Sequence, residues 1–324
     1  MAELFGDLRG QAQAVALLTS ALQQQRLAPA YLFCGPDGVG RRLAALRFLE
    51  GVIAGVDGSA SVRRRLQDGN HPDLLWVEPT YSEKGQLVPA SQALEAGVSR
   101  KAPPQLRLEQ VRAVSQFLAR RPVEAPRCLV VMEAVEAMAE GAANALLKTL
   151  EEPGGGLLVL LSAAPDRLLS TIRSRCQSIP FSRLEPTLLQ QILADCAGHA
   201  VPAAAPDPPE LLALAAGSPG ALLEHRQQWQ ALPEGLAERC SSLVNAPGAA
   251  SPMDALALAR DLSEALDVEQ QLWLLDWWQL QLWQRHHDPT PLRRLEQLRQ
   301  QLRSYVQPRL AWEVALLELS GVRA

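Results

Sequence analysis

The residues most able to do chemistry sit in one short stretch, Gly35-Pro36-Asp37-Gly38-Val39-Gly40-Arg41-Arg42, between an apolar run at residues 30–34 and a helical pattern at residues 41–52. Glycines at this spacing, after a strand and before a helix, frame a loop whose backbone N–H groups wrap phosphate oxygens. A working loop of this kind also carries a Lys for the β and γ oxygens and a Ser or Thr whose hydroxyl holds Mg²⁺. Here those positions are Arg41 and Arg42. Arg41 keeps a positive charge on a planar fork in place of a compact ammonium, and Arg42 offers no ligand to a hard cation. Two readings stand: a tight glycine turn closing a strand onto a helix, or a phosphate loop stripped of its catalytic groups. The flanking strand and helix favour the second.

A second stretch, Cys128-Leu129-Val130-Val131-Met132-Glu133-Ala134, reads as a buried strand ending where phosphate-loop proteins place an Asp-Glu pair for Mg²⁺ and the attacking water. Met132 takes the Asp position and Glu133 remains. A thioether is a poor ligand for a hard cation, so the magnesium contacts expected at positions 42 and 132 are lost together. Glu133 by itself reads as a solvated carboxylate at a strand end.

Composition limits what else this chain does. Its 324 residues suggest two or three domains with ordinary cores, and 48% hydrophobic residues exclude a disordered tail protein. Lys and Arg number 31 against 35 Asp and Glu, a net charge of -4, which argues against DNA binding by the whole surface but leaves room for a local Arg patch. Only Lys84, Lys101 and Lys148 are lysines, so a mechanism needing an ammonium has three candidates. Cys34, Cys128, Cys176, Cys196 and Cys240 show no C-x-x-C spacing, and neither a disulfide framework nor a zinc site follows. Glu3 and Asp7 stand where a signal peptide would be basic, and no apolar run approaches a membrane span; a cytoplasmic protein is the expectation.

The elements that must position these motifs follow from periodicity. Residues 10–25 carry Ala14, Leu17, Leu18, Ala21 and Leu22 on one helical face, and residues 30–34, 74–77, 128–132 and 157–161 read as short, continuously apolar strands. Between them lie helical patterns at residues 106–120 and 142–150, and a Pro-, Gly- and Ser-rich stretch at 78–105 that reads as a long surface loop. Such alternation predicts a parallel sheet covered on both faces over residues 1–181. Strand signals stop after Phe181. Residues 182–223 read as short helices split by the Pro-rich 201–209, and residues 224–324 as longer helices.

The block Ala143-Asn144-Ala145-Leu146-Leu147-Lys148-Thr149-Leu150-Glu151-Glu152-Pro153, followed by Ser174-Arg175-Cys176, resembles the bacterial clamp-loader family of AAA+ proteins. Arg26-Leu27-Ala28, His71-Pro72-Asp73 and Gly217-Ser218-Pro219-Gly220 extend the resemblance over most of residues 20–225. It implies an AAA+ P-loop NTPase-like domain (1–181), a small helical lid (182–223) and a helical collar domain that joins subunits (224–324). It also implies roles for single residues. Ser162 matches the sensor 1 position, and Gly220 falls where ATP-hydrolysing relatives carry the sensor 2 Arg. Arg175 matches the arginine finger of a Ser-Arg-Cys motif, with Ser174 and Cys176 beside it, and would reach into the ATP site of a neighbouring subunit.

The chain departs from the family in one place. Many members carry a four-cysteine zinc module before the His-Pro-Asp turn, whereas residues 52–70 contain no cysteine. The Arg63-Arg64-Arg65 run there reads as a solvated helix face before a nucleic-acid contact, and Lys148 as structural or interfacial. Trp273, Trp277, Trp278 and Trp283 cover more of a helix than one stripe, so core and interface roles both stand.

With Arg41, Arg42, Met132 and Gly220 all departing from an ATPase, the resemblance points to a catalytically degenerate subunit of the DNA polymerase III clamp loader. Its implied partners are the delta and gamma/tau subunits, the sliding clamp and, through the complex, primed DNA. No cofactor is expected, neither Mg-ATP nor zinc. The alternatives are an ATP-hydrolysing gamma/tau-like motor or a related AAA+ replication ATPase such as a helicase and, more remotely, a small-molecule P-loop kinase. Each needs the loop groups that are missing here.

Overall fold

A computed structural model describes residues 4–83, 85–93, 95–98, 103–152, 154–197, 209–245, 251–304 and 306–320. Of the positions singled out above, Lys84, Lys101, Pro153, the proline-rich 201–208 and the Cys196 side chain lie outside the described residues.

Strand β1 (Ala30–Cys34) shows how the sequence builds the first unit. Tyr31 and Phe33 pack into one buried cluster with Phe48, Leu129, Val131, Val159 and Phe181. Ala30 and Leu32 enter a second, with Val130, Met132, Leu158, Leu160 and Leu146. A side-chain period of two splits every such strand between two cores, so a strand apolar at every position is a strand buried on both faces. β2 (Leu74–Val77), β5 (Leu129–Met132), β6 (Leu157–Ser162) and β7 (Gln177–Pro180) complete a sheet in the order β2-β5-β6-β1-β7, all neighbours parallel. Helices α1 (Ala12–Gln23), α2 (Arg41–Ala54), α3 (Ala60–Gln67), α4 (Leu108–Leu118), α5 (Glu140–Glu151), α6 (Ser170–Arg173) and α7 (Pro186–Ala197) alternate with these strands or follow them. This is an AAA+ P-loop NTPase-like sheet.

Two strand features depart from the sequence reading. Residues 78–105 are not a bare loop: β3 (Thr80–Glu83) and β4 (Gln86–Pro89) pair as an antiparallel hairpin, turned at Gly85 with a φ of 82°. Thr80 and Gln105 exchange both backbone hydrogen bonds (3.0 and 3.1 Å), closing the base of the excursion. Glycine, proline and polar residues serve a two-stranded hairpin as well as a loop, which is why composition misread it. The other is β7, an edge strand with Ile179 as its one buried side chain, too short and polar to register as a strand.

The arginine run at 63–65 is not a plain solvated face. Glu50 is fully buried on α2 and accepts from Arg63 Nε (2.8 Å), Arg47 Nη1 (3.3 Å) and the Ser59 N–H (2.9 Å), while Arg47 also pairs with Asp7. Arg65 pairs with Glu124 at 2.6 Å. This network fastens α3 across the stretch where relatives of the family were expected to carry a metal module.

The His-Pro-Asp turn has an equally local explanation. Both carboxylate oxygens of buried Asp73 accept backbone N–H groups, from Val123, Glu124 and Ala125, all at 2.7 Å. The His71 Nδ1 accepts from the Asp73 N–H. Burial opposes ionisation of Asp73, but the three donors outweigh it and hold the carboxyl below its ordinary range.

The chain divides into two compact units, the first comprising residues 1–99, 103–202 and 217–220, the second residues 100–102, 203–216 and 221–324. The second is helical: α8 (Pro209–Ala215), α9 (Pro219–Gln230, whose first two residues belong to the first unit), α10 (Leu236–Asn245), α11 (Pro252–Ala265), α12 (Val268–His286), α13 (Pro289–Arg303) and α14 (Pro308–Leu319). Asp267 and Gln270 form a reciprocal cap at the start of α12. Most of the α12 tryptophans are core. Trp278 stacks on Trp312 (6.1 Å between centroids), Trp277 packs on Trp229, and Trp273 donates Nε1–H to His225 Nδ1 at 3.0 Å. Burial depresses the His225 pKa, which favours the neutral acceptor form. Trp283 differs, being 47% exposed.

Candidate phosphate loop and arginine site

The glycine loop lies between β1 and α2, where Gly38 (φ 72°) and Gly40 (φ 102°) adopt backbone conformations that disfavour a Cβ. Its two arginines are already engaged. Arg41, nearly buried, pairs with Asp37 four residues back. Arg42 Nη1 lies 2.9 Å from Glu133 Oε1, and its guanidinium covers the Trp76 ring at 4.7 Å from the centroid. Trp76 Nε1 donates to the same Glu133 oxygen. Asp37, Gly38, Gly40, Arg41, Arg42 and Glu133 line a cavity of about 520 Å³ in which each cation has its own carboxylate. Met132 faces away, fully buried in the core on the β5 side opposite Val131.

The motif Gly217-Ser218-Pro219-Gly220 belongs to the same unit as the loop and lies directly on it. Ser218 Oγ donates to the Asp37 carbonyl (2.6 Å) and the Gly220 N–H to the Gly38 carbonyl (3.0 Å). A Cβ at Gly220 would stand 2.6 Å from the Gly38 Cα. A third loop carbonyl, that of Val39, accepts from Gln11 Nε2 at 3.2 Å, and the same buried amide clasps Ser182 through its N–H (3.0 Å) and its carbonyl (2.7 Å). Sequence reasoning assigned Gly220 by what it lacks, named Ser218 only as part of the Gly217-Ser218-Pro219-Gly220 motif without a role, and missed Gln11 altogether. Neither Ser218 nor Gln11 is a charged residue, and their hydrogen bonds to the loop carbonyls join distant parts of the chain, so only the fold reveals their part.

Ser162 ends β6 next to the loop. Its carbonyl accepts the Gly35 N–H at 3.1 Å, while its hydroxyl is fully buried without a hydrogen-bond partner among the described residues. The Ala163 N–H donates to Glu136 Oε1 at 2.9 Å.

Arg175 does not line the loop cavity. It follows α6 and is exposed, with Nη1 donating to the Thr171 carbonyl (3.0 Å) and Nη2 to Glu151 Oε1 (2.9 Å). Ser174 Oγ donates to the same Thr171 carbonyl at 3.2 Å. Cys176 packs against the core and burial pushes its thiol up to about 12, so it stays protonated at neutral pH. It serves as an apolar anchor beside an exposed cation. In the Asn144 block, Ala143, Leu146 and Leu150 are core, and Thr149 Oγ1 meets Ser115 Oγ at 2.6 Å. Exposed Lys148 lines a separate cavity of about 600 Å³ between α4 and α5, with Arg112 and Asn144. Among the described residues no cluster of three or more His, Cys, Asp or Glu is placed to hold a metal, and no helix is long and apolar enough to cross a membrane.

Comparison with known proteins agrees with this architecture. A family model described as "DNA polymerase III, delta subunit" matches residues 10–185, more than half of the chain. The chain belongs to that family. A model described as "Cyanobacterial DNA polymerase III delta prime, C-terminal domain" matches residues 187–319. Among curated relatives, DNA polymerase III subunit delta' of Pseudomonas aeruginosa is 35% identical over 240 residues, covering 70% of this chain and 64% of that protein. Subunit delta' of Bacillus subtilis is 32% identical over 191 residues, covering 57% and 51%. A tau/gamma subunit of Haemophilus influenzae is more distant, at 28% over 197 residues, covering 59% of this chain and 25% of that protein. The matches thus span less than two thirds of the length of these relatives. A solved Thermotoga maritima protein related to the DNA polymerase III gamma subunit has the same fold, with a TM-score of 0.53 at 17% identity over 95% of this chain and 99% of that one.

Proposed function

We propose that this chain is the delta-prime subunit of a bacterial DNA polymerase III clamp loader, a cytoplasmic end subunit that does not hydrolyse ATP. It works with the delta and gamma/tau subunits to place the sliding clamp on primed DNA. Family membership and the delta' relatives support the subunit assignment. The observation that carries the non-catalytic part is the closed loop: Arg41 and Arg42 are spent on Asp37 and Glu133, and Gly220 leaves no room for a side chain over Gly38.

Mg-ATP does not fit these residues. Position 42 has no hydroxyl, Met132 is turned into the core, and Glu133, the carboxylate at the strand end, already holds a guanidinium. No chemical step is therefore assigned to this chain's own loop, and no activity is expected of the isolated chain, although it belongs to a polymerase holoenzyme. In the same reading residues 1–181, 182–223 and 224–324 serve as AAA+ domain, lid and collar. Arg175, carried by Ser174 and Cys176, is the finger offered to a neighbour's ATP. Fingers given in trans accelerate related NTPases by about 10³ to 10⁵.

Titration of the purified chain with ATP and Mg²⁺ tests the loop, and saturable micromolar binding with turnover would favour the gamma/tau-like motor. For the finger, Arg175→Ala in a reconstituted loader is expected to leave assembly intact and lower the ATPase stimulated by clamp and DNA. Unchanged ATPase would remove Arg175 from the mechanism.

A further inference from the structure

The Arg175 side chain is not a free cation on a surface. Its two terminal nitrogens are tied to two different elements, Nη1 to the Thr171 carbonyl in α6 and Nη2 to the Glu151 carboxylate at the end of α5. These two contacts leave Nε–H and one N–H on each terminal nitrogen for another acceptor. Glu151 is held by a helix whose Leu146 and Leu150 are buried, so its carboxylate is presented from a rigid support. The neighbouring cation Arg173 has its own partner, Asp166 at 3.2 Å, and does not compete for Glu151.

We infer that Glu151 is the positioning residue of the arginine finger, holding the Arg175 guanidinium in one orientation before it meets the neighbouring subunit's triphosphate. The inference rests on the finger reading given above. An arginine side chain is costly to order, and a fork pinned in advance on both terminal nitrogens removes that cost from the transition state. The pair is half-exposed, so its contribution to folding is small, and its consequence lies in geometry. Glu151 touches neither nucleotide nor reacting atoms and acts through Arg175 alone.

The test uses the reconstituted clamp loader, with clamp and primed DNA, and four variants of this chain: Arg175→Ala, Glu151→Ala, Glu151→Gln and the double alanine variant. Glu151→Ala is expected to lower kcat about tenfold with little change in the KM for ATP, because a misplaced catalytic group loses rate and not substrate binding. Glu151→Gln keeps an oxygen acceptor and should recover most of the loss. The double variant should be no slower than Arg175→Ala alone, as expected of residues acting through one group. If Arg175→Ala is itself without effect, the finger reading falls and this inference with it. If Arg175→Ala is slow but Glu151→Ala matches wild type, only the positioning role is lost. A rise in ATPase with both Glu151 variants would instead make Glu151 a restraint on the finger and overturn the inference. A loss equal in the Ala and Gln variants would overturn it too.

Discussion

The Gly220 N–H donates to the Gly38 carbonyl at 3.0 Å, and no atom larger than hydrogen fits on the Gly220 Cα toward the loop. With the Ser218 hydroxyl on the Asp37 carbonyl, the segment Gly217-Ser218-Pro219-Gly220 is a strap across the glycine loop. Gly220→Ala is therefore expected to cost about 1 to 3 kcal/mol, the usual range for forcing a methyl against fixed backbone. Chemical denaturation measures it, and wild-type stability in the variant would show that the strap yields easily.

Arg42 answers a different question. Its contacts with Glu133 and Trp76 are half-exposed, so Arg42→Thr should cost no more than about 1 kcal/mol while restoring the missing hydroxyl. Even so, calorimetric titration should reveal no saturable Mg-ATP binding below about 1 mM, because Met132 and the strap remain (a Kd of 1 mM is only about 4 kcal/mol). Tight binding would mean that one side chain had closed the site.

Asp73 makes a pH-dependent contribution of definite sign. Its carboxyl is held below the ordinary 3.8, so the stability it supplies is complete above that value and disappears as pH falls through the lower folded pKa. Asp73→Asn replaces an acceptor oxygen with a donor NH₂ and should cost about 2 kcal/mol at neutral pH. The gap between wild type and variant should narrow in acid, below the ordinary value. A gap independent of pH would show that packing, not the charged acceptor, holds the turn.

Glu50 is the centre of the network that fastens α3. Glu50→Ala leaves Arg63 and the Ser59 N–H without their buried acceptor and should cost about 3 kcal/mol or more. Arg63→Ala, at the exposed end, should cost less. Added zinc should protect neither variant in a thermal melt.

How much of this was legible beforehand follows from the kind of signal each feature leaves. β1, β2, β5 and β6 are apolar at nearly every position, and burial on both faces writes that pattern directly into the sequence. The Asn144 block and Ser174-Arg175-Cys176 are runs of contiguous residues, so their resemblance to a family needed no coordinates. The β3–β4 hairpin and β7 left no such trace, because few of their side chains are buried and turn residues dominate their composition.

What the sequence determined by itself was chemical identity: arginine at positions 41 and 42, methionine at 132 and glycine at 220, where the resemblance implies other groups in an ATP-hydrolysing relative. Only the tertiary structure decided what these residues do instead. Asp37 answers Arg41, Glu133 and Trp76 answer Arg42, Gly220 closes on Gly38 across a separation of 182 residues, and Glu151 takes hold of Arg175. Pairings of that kind depend on distance in space, which one-dimensional order does not encode for residues on different elements, and so they emerge only when the sheet and its helices are assembled.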